Sequence, residues 1–322
     1  MDSGLFFCDS TADLRHRHAP ADLSRSRVRR RVAPARAGDR ALRHGESAEG
    51  GRFPERSRVH PIRAERDEDE PLTYCLALRL HEGLVFLADT RTNAGVDNVG
   101  TYRKMHVLAP TPDRLFVIES AGSLATTQEV LDRIRRDLAA DDATESLATV
   151  GHLFEAALYL GRLSHEVAGA HREALKEVGA DGTATFILGG HVGSEPADIL
   201  LVYPEGNYIR ASDERPFLQI GESKYGKFML ELAVQADVDL VTAAKIALGS
   251  MMSTASANLS VGPPYDVGIY LNDTRTISEF RIESHSPLLD KLSMVWERQL
   301  LNGIAELPPI TQDDVTDVRT GT

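Results

Sequence analysis

The chain of 322 residues carries 42% apolar and 26% charged side chains, a formal net charge of −12 and two cysteines, Cys8 and Cys75. Those values describe a globular protein of one or two domains and exclude a disulfide framework or a cysteine zinc site. They also argue against a nucleic-acid surface, which needs clustered Lys and Arg, and no uncharged apolar run approaches the roughly eighteen residues of a membrane span. A reducing cytoplasm fits the low cysteine count.

The charge is unevenly spread. Residues 1–72 hold 15 Arg, no Lys and 13 acidic residues, a net of +2; residues 73–322 hold 15 Arg, 6 Lys and 35 acidic residues, a net of −14. From Leu14 to Arg66 there is apolar periodicity of neither strand nor helix, so the segment cannot bury enough surface to offset its ordering entropy. It ends in Glu65-Arg66-Asp67-Glu68-Asp69-Glu70-Pro71, which reads as a solvated linker. Leu5-Phe6-Phe7 is too short for a secretory apolar region, and a transit peptide lacks acids. A propeptide, a disordered extension and translated sequence upstream of the true start all remain open for 1–72.

One domain, 73–303, is predicted next. Thr73–Leu80 and Leu84–Thr90 read as strands joined by His81-Glu82-Gly83, a three-residue hairpin connection with Gly suited to a left-handed position. Strands follow at Lys104–Leu108 and Leu115–Ser120. Val130, Leu131, Ile134 and Leu138 make one helical stripe, and Leu153, Phe154, Ala157, Leu158 and Leu160 begin another that runs to about Val178. Strands near Thr185–Leu188, Ile199–Tyr203 and Phe217–Ile220 precede helices near Tyr225–Ala236 and Leu240–Ser256. A strand pair, Asp266–Leu271 and Ile277–Ile282, and a helix from Leu288 to Asn302 close the domain, leaving a flexible tail, 304–322. Strands, two helices, strands, two helices, strands is a block pattern unlike a βαβ repeat. It points to an α/β (α+β) fold, a four-layer α-β-β-α sandwich of two stacked antiparallel sheets.

A hairpin turn centred on Glu82 sets Thr73 opposite Arg91, with Asp89 on the same face as Thr73 at a diagonal of about 7–8 Å. Lys104 opens the next strand and comes alongside. The trio has catalytic meaning only if Thr73 is an N-terminus. A threonine hydroxyl needs an adjacent base, and a free α-amine with a pKa of about 7.7–8.0 serves as one. A neighbouring Lys104 ammonium lowers that pKa, and Asp89 holds the lysine. The chemistry therefore requires the Leu72–Thr73 bond to be broken or never made.

Thr73-Tyr74-Cys75 together with Leu84-Val85-Phe86-Leu87-Ala88-Asp89-Thr90-Arg91-Thr92-Asn93-Ala94-Gly95-Val96-Asp97-Asn98 resembles the start of a proteasome β-type subunit, most closely the bacterial Anbu (ancestral β-subunit) branch. The similarity continues through Tyr102-Arg103-Lys104-Met105-His106, Ser120-Ala121-Gly122-Ser123-Leu124-Ala125-Thr126, Gly221-Glu222-Ser223-Lys224-Tyr225-Gly226-Lys227 and Ala257-Asn258-Leu259-Ser260-Val261-Gly262-Pro263. It covers about Thr73 to Tyr270. The resemblance implies an N-terminal-nucleophile hydrolase fold and a threonine-type peptidase subunit in a large homo-oligomer, acting on a peptide or amide substrate. It makes Thr73 the nucleophile, Asp89 and Lys104 its activating pair, the Gly122 N–H an oxyanion donor and Leu124 part of the substrate pocket. It also puts Leu72 where related proteins begin with Met, so a mis-assigned start is the simplest account of 1–72.

Two positions depart from the proteasome pattern. Its Asp-x-x-Ser-Gly aligns with Ala257-Asn258-Leu259-Ser260-Val261, where Ser260 alone survives, and Glu222 stands where the Gly-Ser-Gly loop has Ser. Ser260 and Glu222 are supporting candidates, with capping as the other reading. Gly221–Phe228 nearly spells a phosphate-binding loop, but Phe228 lacks the hydroxyl that holds Mg²⁺. Cys75 reads as a small core residue, and His191, after Gly189-Gly190, as a loop residue. His106, His152 and His165 show no ligand spacing, so neither a metal nor a cofactor is expected. The rival to an enzyme is a non-catalytic proteasome-like assembly subunit; an amidohydrolase acting on a non-protein amide is a further alternative.

Overall fold

The computed structural model describes residues 73–93 and 99–311. The expectations for 1–72 and for the end of the tail beyond 311 lie outside the described residues. In chain order the elements are β1 (Tyr74–Arg79), β2 (Gly83–Asp89), β3 (Arg91–Asn93), β4 (Val99–Thr101), β5 (Met105–Thr111), β6 (Arg114–Gly122), α1 (Leu124–Ala139), α2 (Leu153–Glu177), β7 (Ala184–Val192), β8 (Asp198–Val202), β9 (Tyr208–Arg210), β10 (Phe217–Gly221), α3 (Lys224–Ala233), α4 (Leu240–Ala257), β11 (Tyr265–Leu271), β12 (Thr276–Ile282) and α5 (Pro287–Ala305). The pair β3–β4 and the short β9 carry no apolar run and were not predicted.

Two five-stranded sheets result, ordered β10-β1-β2-β11-β12 and β5-β6-β7-β8-β9, and every pairing in them is antiparallel. Alternation along β1 sorts the side chains. Cys75 and Ala77 join Phe86, Ala88, Met105, Val117 and Ile187 in a cluster drawn from both sheets. Tyr74, Leu76 and Leu78 turn the other way, onto Leu230 of α3 and Ala243, Ala247 and Met251 of α4. On the second sheet Phe116, Ile118, Phe186 and Leu188 pack with Val130 and Ile134 of α1 and with Ala156, Leu160 and Leu163 of α2. Both faces of the central strands are thus buried, which is why they read as continuous apolar runs rather than alternating ones.

Local chemistry sets the helix starts. The Ser123 hydroxyl accepts the Thr126 N–H at 3.3 Å, and the Asp239 carboxylate accepts the Thr242 N–H at 2.9 Å. Ser286 caps α5 immediately before Pro287, whose missing N–H is no loss at the first helical position.

The hairpin differs from its predicted form. Leu80 and Gly83 exchange N–H···O bonds at 2.8 and 3.3 Å, so the loop is the two residues His81-Glu82, and Gly83 opens β2. Gly83 is glycine for another reason: a Cβ there would lie 1.8 Å from the Tyr270 carbonyl oxygen on β11. The register moves by one residue, with Cys75 opposite Ala88 and Leu76 opposite Leu87. Tyr74, rather than Thr73, therefore shares a face with Asp89.

Candidate active site

Thr73 stands at the head of β1 and is buried. Its carbonyl oxygen accepts the Glu222 N–H at 2.7 Å. Gly221, opposite Tyr74 in the β1–β10 register, adopts φ +81°, and a Cβ there would fall 2.0 Å from the Thr73 carbonyl oxygen. Only glycine allows β10 this close to Thr73 in that conformation.

Asp89 closes β2 and Lys104 precedes β5, and the two meet as a buried ion pair. Lys104 Nζ donates to Asp89 Oδ1 at 2.7 Å and to the Arg91 carbonyl at 2.7 Å. Asp89 Oδ1 also accepts the Tyr74 N–H at 3.0 Å, and Oδ2 the Gly262 N–H at 3.4 Å. Burial pushes the Asp89 carboxyl above its ordinary range, while the Lys104 ammonium and these two N–H groups pull it back. The shared face expected from the hairpin is not what joins Asp89 to the head of β1. The Tyr74 N–H does so, one residue after Thr73.

The Asn258–Pro264 loop wraps the same corner. Asn258 Nδ2 donates to Glu222 Oε2 at 3.2 Å, and Asn258 Oδ1 accepts the Ser260 N–H at 2.9 Å. Arg91 reaches the Leu259 carbonyl at 2.7 Å, and the Thr90 hydroxyl donates to the Pro264 carbonyl at 2.8 Å. Of the two supporting candidates, Glu222 is buried beside Thr73 and ties the Gly221 turn to this loop, whereas Ser260 is only half-buried. The link to Glu222 is made by Asn258, which the sequence reading did not single out. Its signal was the vacant aspartate beside it in the aligned motif: an amide there serves a carboxylate on the opposite loop.

Glu222 also settles what the near phosphate-binding loop does. Its Oε1 accepts the Lys224 N–H at 3.3 Å at the start of α3, so the chain's own carboxylate occupies that helix end. On the other sheet, Ser120 donates its N–H to the Lys104 carbonyl at 3.1 Å and Ser123 donates to the Thr183 carbonyl at 2.8 Å. Strand alternation therefore turns the Gly122 N–H toward the Lys104 side, past the first residue of β5. Gly122 itself is exposed at φ +99°, and Leu124, half-buried, is the first residue of α1.

Glu119 was predicted only as part of a strand. It is wholly buried on β6, opposite Met105 and Ile187, and among the described residues its carboxyl has no side-chain hydrogen-bond partner, with the Leu87 backbone N–H the one group that pulls it down. Burial holds its carboxyl well above the ordinary range. Cys75 lies against the next residue, its thiol donating to the Ser120 carbonyl at 3.6 Å, and burial together with Glu119 raises that thiol far out of the reactive range. Cys75 is a core residue, as predicted. His191 is not a loop residue: it lies within β7, and its Nδ1 is 2.9 Å from the Tyr270 hydroxyl across the two sheets. Among the described residues no group of three or more His, Cys, Asp or Glu is placed to hold a metal ion. No described helix is long and apolar enough to cross a membrane.

No protein-family model and no curated protein matches the chain. Solved structures do. Anbu (ancestral beta-subunit) from Yersinia bercovieri is 38% identical with a TM-score of 0.69, covering 74% of this chain and 99% of its own. Anbu from Hyphomicrobium sp. strain MC1 is 39% identical with a TM-score of 0.67, covering 74% of this chain and 100% of its own. The structure described as the helical assembly of the Anbu complex from Pseudomonas aeruginosa is 34% identical with a TM-score of 0.70, covering 75% of this chain and 99% of its own.

Proposed function

Because the chain belongs to the Anbu family of proteasome-like subunits, we propose that it is a threonine-type N-terminal-nucleophile hydrolase that cleaves peptide or other amide bonds through Thr73. The observation that carries this reading is the buried Lys104–Asp89 pair at 2.7 Å, tied through the Tyr74 N–H to the residue after Thr73. A buried ion pair is a poor source of stability, since desolvation offsets most of its attraction, so its presence favours a chemical role. The two sheets with helices packed on each outer face support the four-layer sandwich of such hydrolases.

In this reading the domain works from Thr73, after the Leu72–Thr73 bond is broken or never made. The α-amine takes the proton of the Thr73 hydroxyl as Oγ attacks the amide carbonyl. The Lys104 ammonium disfavours protonation of the amine, and Asp89 fixes the lysine. The Gly122 N–H faces the charge that develops on the carbonyl oxygen, and Leu124 borders the pocket for the residue before the cut. The amine then returns its proton to the leaving nitrogen; water, deprotonated by the same amine, attacks the acyl carbon, and the bond to Oγ breaks as that proton passes to Thr73 Oγ. Glu222 and Asn258 hold the Gly221 turn that seats Thr73. The Pseudomonas aeruginosa assembly supports self-association of this chain into a homo-oligomer, and the low cysteine count favours the cytoplasm.

N-terminal sequencing of the purified assembled protein tests the premise. The expected first residue is Thr73. A Leu72–Thr73 bond intact in the assembly turns the base into an amide and leaves the rival, a non-catalytic assembly subunit.

A further inference from the structure

Arg91 meets the Asp89–Lys104 pair from two directions. Its carbonyl accepts Lys104 Nζ at 2.7 Å, a bond that any residue at this position could supply. Its side chain does something else. The guanidinium Nη1 donates to the Leu259 carbonyl at 2.7 Å. A Cβ on Gly262 would fall 2.4 Å from Arg91 Cζ, 2.6 Å from Nη2 and 2.8 Å from Nε, so the guanidinium fills the space that a side chain at 262 would need. Gly262 has no positive φ, which leaves this contact as the structural reason for a glycine there. The same Gly262 sends its N–H to Asp89 Oδ2 at 3.4 Å. The Asn258–Pro264 loop is thus held to the β2–β3 segment at two points, with Gly262 between them. Arg91 holds Leu259, and the Thr90 N–H and hydroxyl hold the Pro264 carbonyl at 3.1 and 2.8 Å. Tyr265, opposite Asp89 on β11, senses both groups: beyond the effect of burial, the Asp89 carboxylate raises its hydroxyl pKa and the Arg91 guanidinium lowers it.

We propose that the Arg91 side chain is a positioning residue for hydrolysis at Thr73: it clamps the Asn258–Pro264 loop so that the Gly262 N–H stays on Asp89, and Asp89 in turn keeps Lys104 beside the α-amine. The inference rests on the N-terminal-nucleophile reading and adds a residue to it. At 3.4 Å the Gly262 bond is already long, so a small displacement of the loop loses it. A planar guanidinium suits the task, since it packs on the backbone and donates to a carbonyl from one fixed fork, whereas an ammonium on a flexible stem offers only the charge.

The test is the rate at which a peptide epoxyketone labels the purified protein, followed by mass against pH. The chains compared are the wild type, Arg91→Ala, Arg91→Lys, Gly262→Ala and the double variant Arg91→Ala, Gly262→Ala. Arg91→Ala is expected to slow labelling about 10–100-fold. It is also expected to move the midpoint of the pH dependence upward, because a Lys104 held less firmly disfavours the protonated amine less. A residue that served stability alone would leave that midpoint in place. Arg91→Lys is expected to recover part of the rate. Gly262→Ala expels the guanidinium while leaving Arg91 in the chain, so it is expected to reproduce both effects and carries the test if Arg91→Ala fails to fold. The double variant is expected to be no slower than the slower single one, since both remove the same contact. Wild-type labelling in either single variant, a slower rate with an unmoved midpoint, or losses that multiply in the double variant overturns the clamp and leaves Thr73 as the nucleophile. A wild type that takes no label overturns the nucleophile reading, and the clamp with it.

Discussion

Asp89 at the end of β2 and Glu119 near the end of β6 are both at 0% exposure, and their surroundings differ in one respect. Asp89 receives an ammonium and two backbone N–H groups; among the described residues Glu119 has no side-chain partner, and only the Leu87 backbone N–H pulls against its burial. Burial raises both carboxyls, yet only Glu119 and its neighbour Cys75 are driven well above their ordinary values. Water that solvates a carboxylate must be replaced donor by donor, and a buried carboxyl with too few donors is pushed toward its protonated form. The chain thus brackets one buried carboxyl with Lys104 beside Thr73, and sets another with little but burial around it in the apolar layer between the sheets.

The contrast breaks most sharply if Lys104 is dispensable. Lys104→Met strands the Asp89 carboxylate and is expected to cost about 3–5 kcal/mol in urea unfolding, with the Asp89→Asn, Lys104→Met double variant recovering part of it. A cost below ~1 kcal/mol for the single variant would show that the pair is not desolvated.

Glu119 gives the next largest effect, as a slope against pH. Its folded pKa lies above the unfolded value near 4.3, so the folded state binds the extra proton and stability falls as pH rises through that window. Relative to wild type, Glu119→Gln is therefore expected to gain stability progressively as pH rises above the unfolded value of ~4.3, by up to ~1.4 kcal/mol per pH unit until Glu119 ionises. Parallel stability curves would mean that Glu119 ionises freely in the folded chain.

His106 works in the opposite direction. Burial beside Arg103 pulls its imidazole down to about 4. The unfolded chain takes up that proton first, so stability is lost as pH falls from about 6.5 toward 4. Replacing it by Gln is expected to flatten that acid limb by on the order of 2 kcal/mol, and an unchanged limb would place the acid sensitivity elsewhere. Asn258→Ala is the smallest change. It removes the amide from Glu222 Oε2 and is expected to cost about 1–2 kcal/mol, with a larger fall in turnover than in stability because the Gly221 turn seats Thr73. Equal losses would make Asn258 a structural residue only.

The block order of strands and helices was legible because stripes such as Val130, Leu131, Ile134 and Leu138 recur at helical spacing and the strands form long apolar runs. The meeting of Asp89 and Lys104 near the head of β1 was legible from the hairpin and the family pattern together. Their register was not. Whether Gly83 ends a loop or begins a strand turns on the Tyr270 carbonyl, nearly two hundred residues away. Glu119 was hidden for the same reason: a strand buried on both faces gives no alternation from which to read which side chain enters the inter-sheet layer. Asn258 gains its meaning from Glu222, a partner on another loop. Short-range pattern carried the elements, and long-range contact decided what each polar residue does.

The most direct measurement of the central claim is mass analysis of the assembled protein after treatment with a peptide epoxyketone, which needs both a threonine hydroxyl and a free α-amine on one residue. The account predicts a single adduct on a chain that begins at Thr73, lost in Thr73→Ala and strongly slowed in Lys104→Ala. A free Thr73 that takes no adduct, or an adduct that forms equally fast without Lys104, would contradict it.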